Sequence, residues 1–208
     1  MRVICSYLLP RPQKFTEERS HFVLDKTRLD TPVLQDEWEC FISELGGRID
    51  GRSAAVIEVK LVESLDEAPL NRDEAYKLKV MAKKISIEAM SERGVYWAMQ
   101  TLRQLADSSG KKTTFQGCTI TDWPAFRIRG FMHDVGTYIS MGELKREITM
   151  LSRFKINVFH WHLTENQSWR LESKIFPMLN DSANTTRMPG KYYTQAEAKE
   201  LVAFCKAH

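Results

Sequence analysis

The chain has 208 residues, 43% of them hydrophobic and 27% charged, with a formal net charge of +3. That is an ordinary globular composition with enough apolar residues for a sizeable core. Lys and Arg are dispersed rather than clustered, which excludes a nucleic-acid footprint. Four cysteines at 5, 40, 118 and 205 form no C-x-x-C pair, so a zinc knuckle or redox motif is excluded and a disulfide is left open. The apolar run from Val3 to Leu9 is too short to span a membrane and lacks a small-residue cleavage site; it reads as a first strand.

Residues 1–122 read as a small α+β domain. Thr31-Pro32 predicts an N-cap followed by proline at the first helical position. Leu34, Trp38, Phe41, Ile42 and Leu45 then mark a helical face that Gly46-Gly47 ends. Strands are predicted over 54–62, 75–81 and 85–90, the last two joined as a hairpin through Ala82-Lys83-Lys84. A second helix starts near Ser91, with Val95, Ala98, Met99, Leu102, Leu105 and Ala106 on one face, and Asp107 to Gly110 stops it. The order fits a sheet with helices on one side.

After Asp122-Trp123-Pro124 the pattern changes, and residues 123–208 read as a β/α series. A strand over 128–134 leads to the capping box Ser140-Met141-Gly142-Glu143 and to a helix with Leu144, Ile148, Leu151 and Phe154 inward. A second strand, 156–163, is apolar on both faces, as parallel sheets require. After a long loop, the capping box Thr194-Gln195-Ala196-Glu197 starts a helix with Ala198, Leu201, Val202 and Cys205 on one face. The fold class is therefore α/β: an α+β domain, then the first two β/α units of a TIM barrel. A closed barrel takes about 250 residues, so this one is expected to be truncated, with open strand edges available for self-association.

In such barrels chemistry sits at the C-terminal ends of the strands. The first strand offers His133 and Asp134, with Arg129 further back. The second offers His160, His162, Thr164 and Glu165, followed by Asn166, Gln167, Trp169 and Arg170. Carboxylate, amide and guanidinium groups beside an aromatic ring suit a carbohydrate, whose hydroxyls need fixed donors and acceptors. Two other readings stay open. Arg129, of opposite strand parity to Asp134, could be a core ion-pair partner. His160 and His162 share a face, so they are either two metal ligands or two hydrogen-bonded interior histidines.

Three segments carry a resemblance to a known family: ERGVYWAMQTLRQL at 92–105, DWPAFRIRGFMHD at 122–134 and FKINVFHWHLTENQSWR at 154–170. Together they resemble the glycoside hydrolases of family 20, the β-N-acetylhexosaminidases, over nearly the whole chain. The resemblance implies a non-catalytic first domain and a catalytic barrel acting on terminal N-acetylhexosamine, without a cofactor or metal. It implies that Arg129 holds sugar hydroxyls and that Asp134 and His162 line the same pocket. Glu165 stands where the family usually has an aspartate that orients a histidine. An arginine that the family often carries shortly after the Asp134 position is replaced by Gly136-Thr137-Tyr138. The family retains configuration through attack by the sugar's own 2-acetamido group, an exception to the two-carboxylate scheme. Its Asp-Glu catalytic pair follows the fourth strand, so no catalytic residue is expected in this chain and the chain alone is expected to be inactive. Export from the cell is implied by the family alone. A metal-dependent hydrolase using His160 and His162, and a non-enzymatic binding module, are the competing expectations.

Overall fold

The computed structural model describes residues 7–134 and 136–206. The chain divides into two compact units, Met1–Arg127 and Ile128–His208.

The first unit runs β1 (Lys14–Val23), β2 (Lys26–Asp30), α1 (Gln35–Glu44), β3 (Arg48–Ile49), β4 (Val56–Leu61), β5 (Tyr76–Met81) and β6 (Lys84–Ala89). It continues with α2 (Glu92–Leu105), β7 (Ala106–Asp107) and β8 (Thr114–Asp122). The strands form one sheet in the order β1-β8-β5-β6-β4-β2-β3, with β7 added against β8. Pairing is antiparallel from β1 to β6 and parallel from β6 to β3. Alternation places Tyr76, Leu78 and Val80 of β5, and Ile85, Ile87 and Ala89 of β6, in the core. Trp38, Phe41 and Ile42 of α1 and Val95, Ala98, Met99 and Leu102 of α2 join the same cluster. Two faces of opposite periodicity, 2 for the strands and 3.6 for the helices, thus bury each other.

Several local expectations need correction. Thr31 does not cap α1. Its Oγ1 accepts from Val33 N–H at 3.3 Å and donates to the Val33 carbonyl at 2.7 Å, closing a turn instead. Leu34 then takes φ +56°, and the helix starts at Gln35. The C-terminus follows the sequence: Gly46 at φ +79° lets its N–H reach the Ser43 carbonyl while Gly47 N–H reaches Ile42, a Schellman closure. The predicted first strand falls largely outside the described residues. Tyr7 to Leu9 are not in a strand, although Leu8 is buried in the core. Five strands of this unit were not anticipated: β1, β2, β3, β7 and β8.

The second unit contains β9 (Gly130–His133), α3 (Met141–Arg153), β10 (Val158–Trp161), β11 (Thr164–Glu165), β12 (Ser168–Trp169) and α4 (Gln195–Lys206). β9 and β10 pair in parallel, Gly130 opposite Val158 and His133 opposite Trp161. Both predicted capping boxes form. Ser140 Oγ accepts from Glu143 N–H while the Glu143 carboxylate accepts from Ser140 N–H, and Thr194 and Glu197 do the same. Leu144, Ile148, Tyr193 and Leu201 form a second core, against which Phe159 and Trp161 pack. Two residues expected inward are not. Phe154, at the C-cap of α3, is 43% exposed, and Val202 of α4 is 56% exposed. Among the described residues no helix is long and apolar enough to cross a membrane.

Candidate carbohydrate-binding site at the ends of two parallel strands

The pleat divides the side chains of β9 and β10 between two faces. Phe131, His133, Phe159 and Trp161 share the helix-facing side. Phe131 stacks on Phe159 with ring centroids 6.4 Å apart, and His133 Nδ1 lies 3.2 Å from Glu147 Oε2 on α3. His133 Nε2 is 3.2 Å from the Thr137 carbonyl, so His133 is engaged on the α3 side. Met132, Asp134, His160 and His162 take the opposite parity. The backbone bond from His162 N–H to the His133 carbonyl, 3.0 Å, continues the pairing past the strand ends. It sets Asp134 and His162 side by side at the C-terminal mouth.

There Asp134 Oδ1 accepts from Gly136 N–H at 2.6 Å, and Oδ2 lies 3.6 Å from His162 Nδ1. Glu165 Oε1 lies 4.0 Å from His162 Nε2. His162 is therefore flanked by a carboxylate at each ring nitrogen, close but beyond hydrogen-bond length. Among the described residues its buried Nδ1 has no hydrogen-bond partner. The Gly136 amide first, then His162 and Arg187, hold the Asp134 carboxyl below the usual carboxylate range. The mouth thus presents anionic acceptors and an imidazole that a small rotation would bring into contact.

Arg129 is not part of this group. It precedes β9, has the parity of Phe131 and His133, and its Nε donates to the Lys155 carbonyl at 2.6 Å in the turn between α3 and β10. Five residues of extended chain, about 16 Å, separate its backbone from Asp134. The structure describes Arg129 at the N-terminal end of the strands, against the turn. His160 and His162 have ring centroids 6.0 Å apart. Among the described residues no group of three or more His, Cys, Asp or Glu is arranged to hold a metal ion, so the metal reading gains no third ligand.

The loop beyond β10 contributes more than its sequence suggested. β11 and β12 form a hairpin that places Glu165 opposite Ser168. Arg170, only 1% exposed, is buried beneath it. Its guanidinium donates to the carbonyls of Arg187 at 2.6 Å, Met188 at 2.9 Å and Lys191 at 2.6 Å. Ser168 Oγ donates to the Arg187 carbonyl as well. These bonds fold residues 187–191 back toward the mouth. A methyl carbon placed on Gly136 would lie 2.8 Å from Asp134 Oδ1 and 3.0 Å from Arg187 Nη1. Arg187, which the sequence reading passed over, thus enters the Asp134 neighbourhood. The one local signal was the missing side chain at Gly136.

Residues 6–123 match the model described as glycosyl hydrolase family 20, domain 2, and residues 126–208 match the family's catalytic domain. The chain belongs to glycosyl hydrolase family 20. Its relatives agree. The chain is 31% identical, over 95% of its length, to a beta-hexosaminidase of Porphyromonas gingivalis, covering 28% of that protein. It is 34% identical, over 73% of its length, to a beta-hexosaminidase of Vibrio furnissii, covering 26% of it. A solved structure, the family 20 exo beta-N-acetylglucosaminidase of Vibrio harveyi in complex with N-acetylglucosamine, superimposes with a TM-score of 0.78 at 28% identity. That match covers 98% of this chain and 35% of the other. The chain therefore spans about a quarter to a third of the length of these family members. Within the family's architecture, the first unit matches domain 2, and β9–α3 and β10–α4 are successive β/α units of the TIM barrel.

Proposed function

We propose that this chain supplies one wall of the sugar pocket of a retaining exo-β-N-acetylhexosaminidase. The observation that carries the reading is the convergence of Asp134, His162 and Glu165 at the C-terminal ends of β9 and β10, where barrel active sites lie. Carboxylates there accept from sugar hydroxyls, and His162, once its Nδ1 finds Asp134 or its Nε2 finds Glu165, offers its other nitrogen to substrate. Trp169, 37% exposed, gives an aromatic face for the sugar's C–H side.

The chemistry of the whole protein follows the family's scheme. The acetamido oxygen of the terminal sugar attacks its own anomeric carbon, and the bond to the leaving oxygen breaks as a glutamic acid protonates that oxygen. Water then opens the resulting oxazolinium, so the product keeps its configuration. In this reading the acid and the aspartate that orients the acetamide come from a later part of the barrel. The carboxylates of this chain bind and orient substrate without protonating the leaving group. Each of β9 and β10 has an outer edge unpaired among the described residues, so a second copy is a further partner in the proposal. Light scattering that shows dimers growing with concentration supports that part, and a monomer at every concentration refutes it.

The pocket itself is tested by titrating the 15N-labelled chain with methyl N-acetyl-β-D-glucosaminide. A half-pocket binds in about the millimolar range, about 4 kcal/mol. Shifts should centre on Asp134, Gly136, His162 and Glu165 and leave the sheet of the first unit unmoved. Shifts centred on that sheet, or none at all, refute the assignment.

A further inference from the structure

Three connections of the first unit meet at one end of its sheet, and each delivers a cation. Leu24 N–H donates to the Thr113 carbonyl at 2.9 Å, Arg48 N–H to the Asp25 carbonyl at 2.7 Å, and Thr113 Oγ1 to the Leu45 carbonyl at 2.7 Å. These bonds tie together the β1–β2 turn, the α1–β3 turn and the β7–β8 loop. Lys26, Arg48 and Lys112, far apart in the sequence, thereby become exposed neighbours. The register sets Lys26 directly opposite Arg48 on adjacent strands, a placement of like charges that costs stability. Asp25 is the acid they share. Lys112 Nζ lies 2.6 Å from its Oδ2, and the Lys112 bond first, then the charges of Arg48 and Lys26, hold its carboxyl below the usual carboxylate range. With Lys112 engaging that acid, Lys26 and Arg48 make no side-chain hydrogen bond or ion pair among the described residues.

We propose that Lys26, Arg48 and Lys112 form a docking surface on the first unit for a sulfated glycan chain. A guanidinium fork matches the paired oxygens of a sulfate group, and the ammonium beside it adds a point charge. An anionic group bridging Lys26 and Arg48 removes their mutual repulsion, so the cost carried by the free patch becomes affinity. The backbone bonds among the three connections fix where the cations stand before any ligand arrives. Nucleic acid fits less well, because its binders typically neutralise about 6–10 phosphates and this patch has too few cations. The choice of a glycan rests on the action on glycans proposed above. A hold on acidic groups along a chain raises the effective concentration of its terminal sugar.

The test titrates the 15N-labelled 208-residue chain with a heparin hexasaccharide, with neutral chitohexaose and with a single-stranded DNA oligonucleotide. Heparin shifts should centre on the amides of residues 24–26, 48 and 112, and its binding should weaken as salt rises, since exposed charges are screened. Chitohexaose should leave those amides unmoved. Lys26→Ala and Arg48→Ala should each weaken heparin binding about tenfold, the loss of one charge-assisted bond. Arg48→Lys, which keeps the charge and loses the fork, should fall between. Lys199→Ala on α4 removes the same charge elsewhere and should change little. No heparin shift at these amides overturns the inference, as does an equal loss in Lys199→Ala. DNA binding tighter than heparin at the same salt also overturns it, because the patch is then a general polyanion surface. Binding at the patch with no response of Asp134 and His162 to methyl N-acetyl-β-D-glucosaminide instead overturns the sugar pocket alone, which keeps the two failures distinct.

Discussion

Replacing Arg170 with methionine keeps the aliphatic stem in its buried place and removes the donors that organise the mouth. The guanidinium donates to three carbonyls, those of Arg187, Met188 and Lys191. Each bond from a charged donor is worth about 1.5–3 kcal/mol. Removing the cation also relieves its desolvation, which offsets several kcal/mol of that sum. The net expected loss is about 3 kcal/mol, and it falls on the loop rather than on the cores. Local opening should therefore speed hydrogen exchange about a hundredfold at amides whose bonds close this loop. These are Thr186 to the Gln167 carbonyl, Lys191 to Met188 and Tyr193 to Arg170. Amides of the β5–β6 pair serve as the control and should keep their protection. Arg170→Lys should fall between, because an ammonium cannot hold three carbonyls with a fork's geometry. Unchanged protection at 186, 191 and 193 in Arg170→Met would show that the loop is held by something else, and the account of how Arg170 folds it toward the mouth would fail.

Gly94→Ala should destabilise the first unit by about 3 kcal/mol, read as a lower midpoint in urea, because the new methyl presses on the Ala75 carbonyl and the Ala89 side chain. An unshifted midpoint contradicts that packing. Burial pushes the Cys118 thiol up to about 12, whereas Cys40 is exposed. Iodoacetamide at pH 8 should therefore label Cys40 in the native chain and Cys118 only after unfolding; rapid native labelling of Cys118 counts against the core. Asp134 is held below its ordinary value of 3.8, mainly by the Gly136 amide. A depressed carboxyl stabilises the fold above the ordinary value and loses that contribution as pH falls through the lower folded value. The Gly136 amide shift should titrate with a midpoint under 3.8, and a midpoint above it refutes the assignment.

The second unit was legible where its signals are local. The boxes Ser140–Glu143 and Thr194–Glu197 announce both helices within four residues. The alternation Phe159, His160, Trp161, His162 sorts packing from mouth without tertiary knowledge. The position of Arg187 was not legible for the opposite reason. It comes near Asp134 because Arg170 folds back a loop with no periodicity of its own. The backbone partner of Arg129 was not legible, because its parity is undefined until the strand's first residue is known; with β9 starting at Gly130, its Nε donates to the α3–β10 turn. In the first unit, β1 escaped notice because KFTEERSHFV is polar along most of its length, pairing through one edge and burying only Phe22 fully. Thr31-Pro32 carried the right cap chemistry, yet the hydroxyl was spent on a turn with Val33.

The central claim is that Asp134, His162 and Glu165 bind the sugar while the groups that break the glycosidic bond lie elsewhere in the barrel. It is tested most directly by turnover of 4-nitrophenyl N-acetyl-β-D-glucosaminide, with the 208-residue chain and a polypeptide carrying the same residues in a complete barrel assayed side by side. The account predicts nitrophenol release by the complete barrel and none above buffer by the 208 residues. Hydrolysis by the 208-residue chain, or none by the complete barrel, would contradict it.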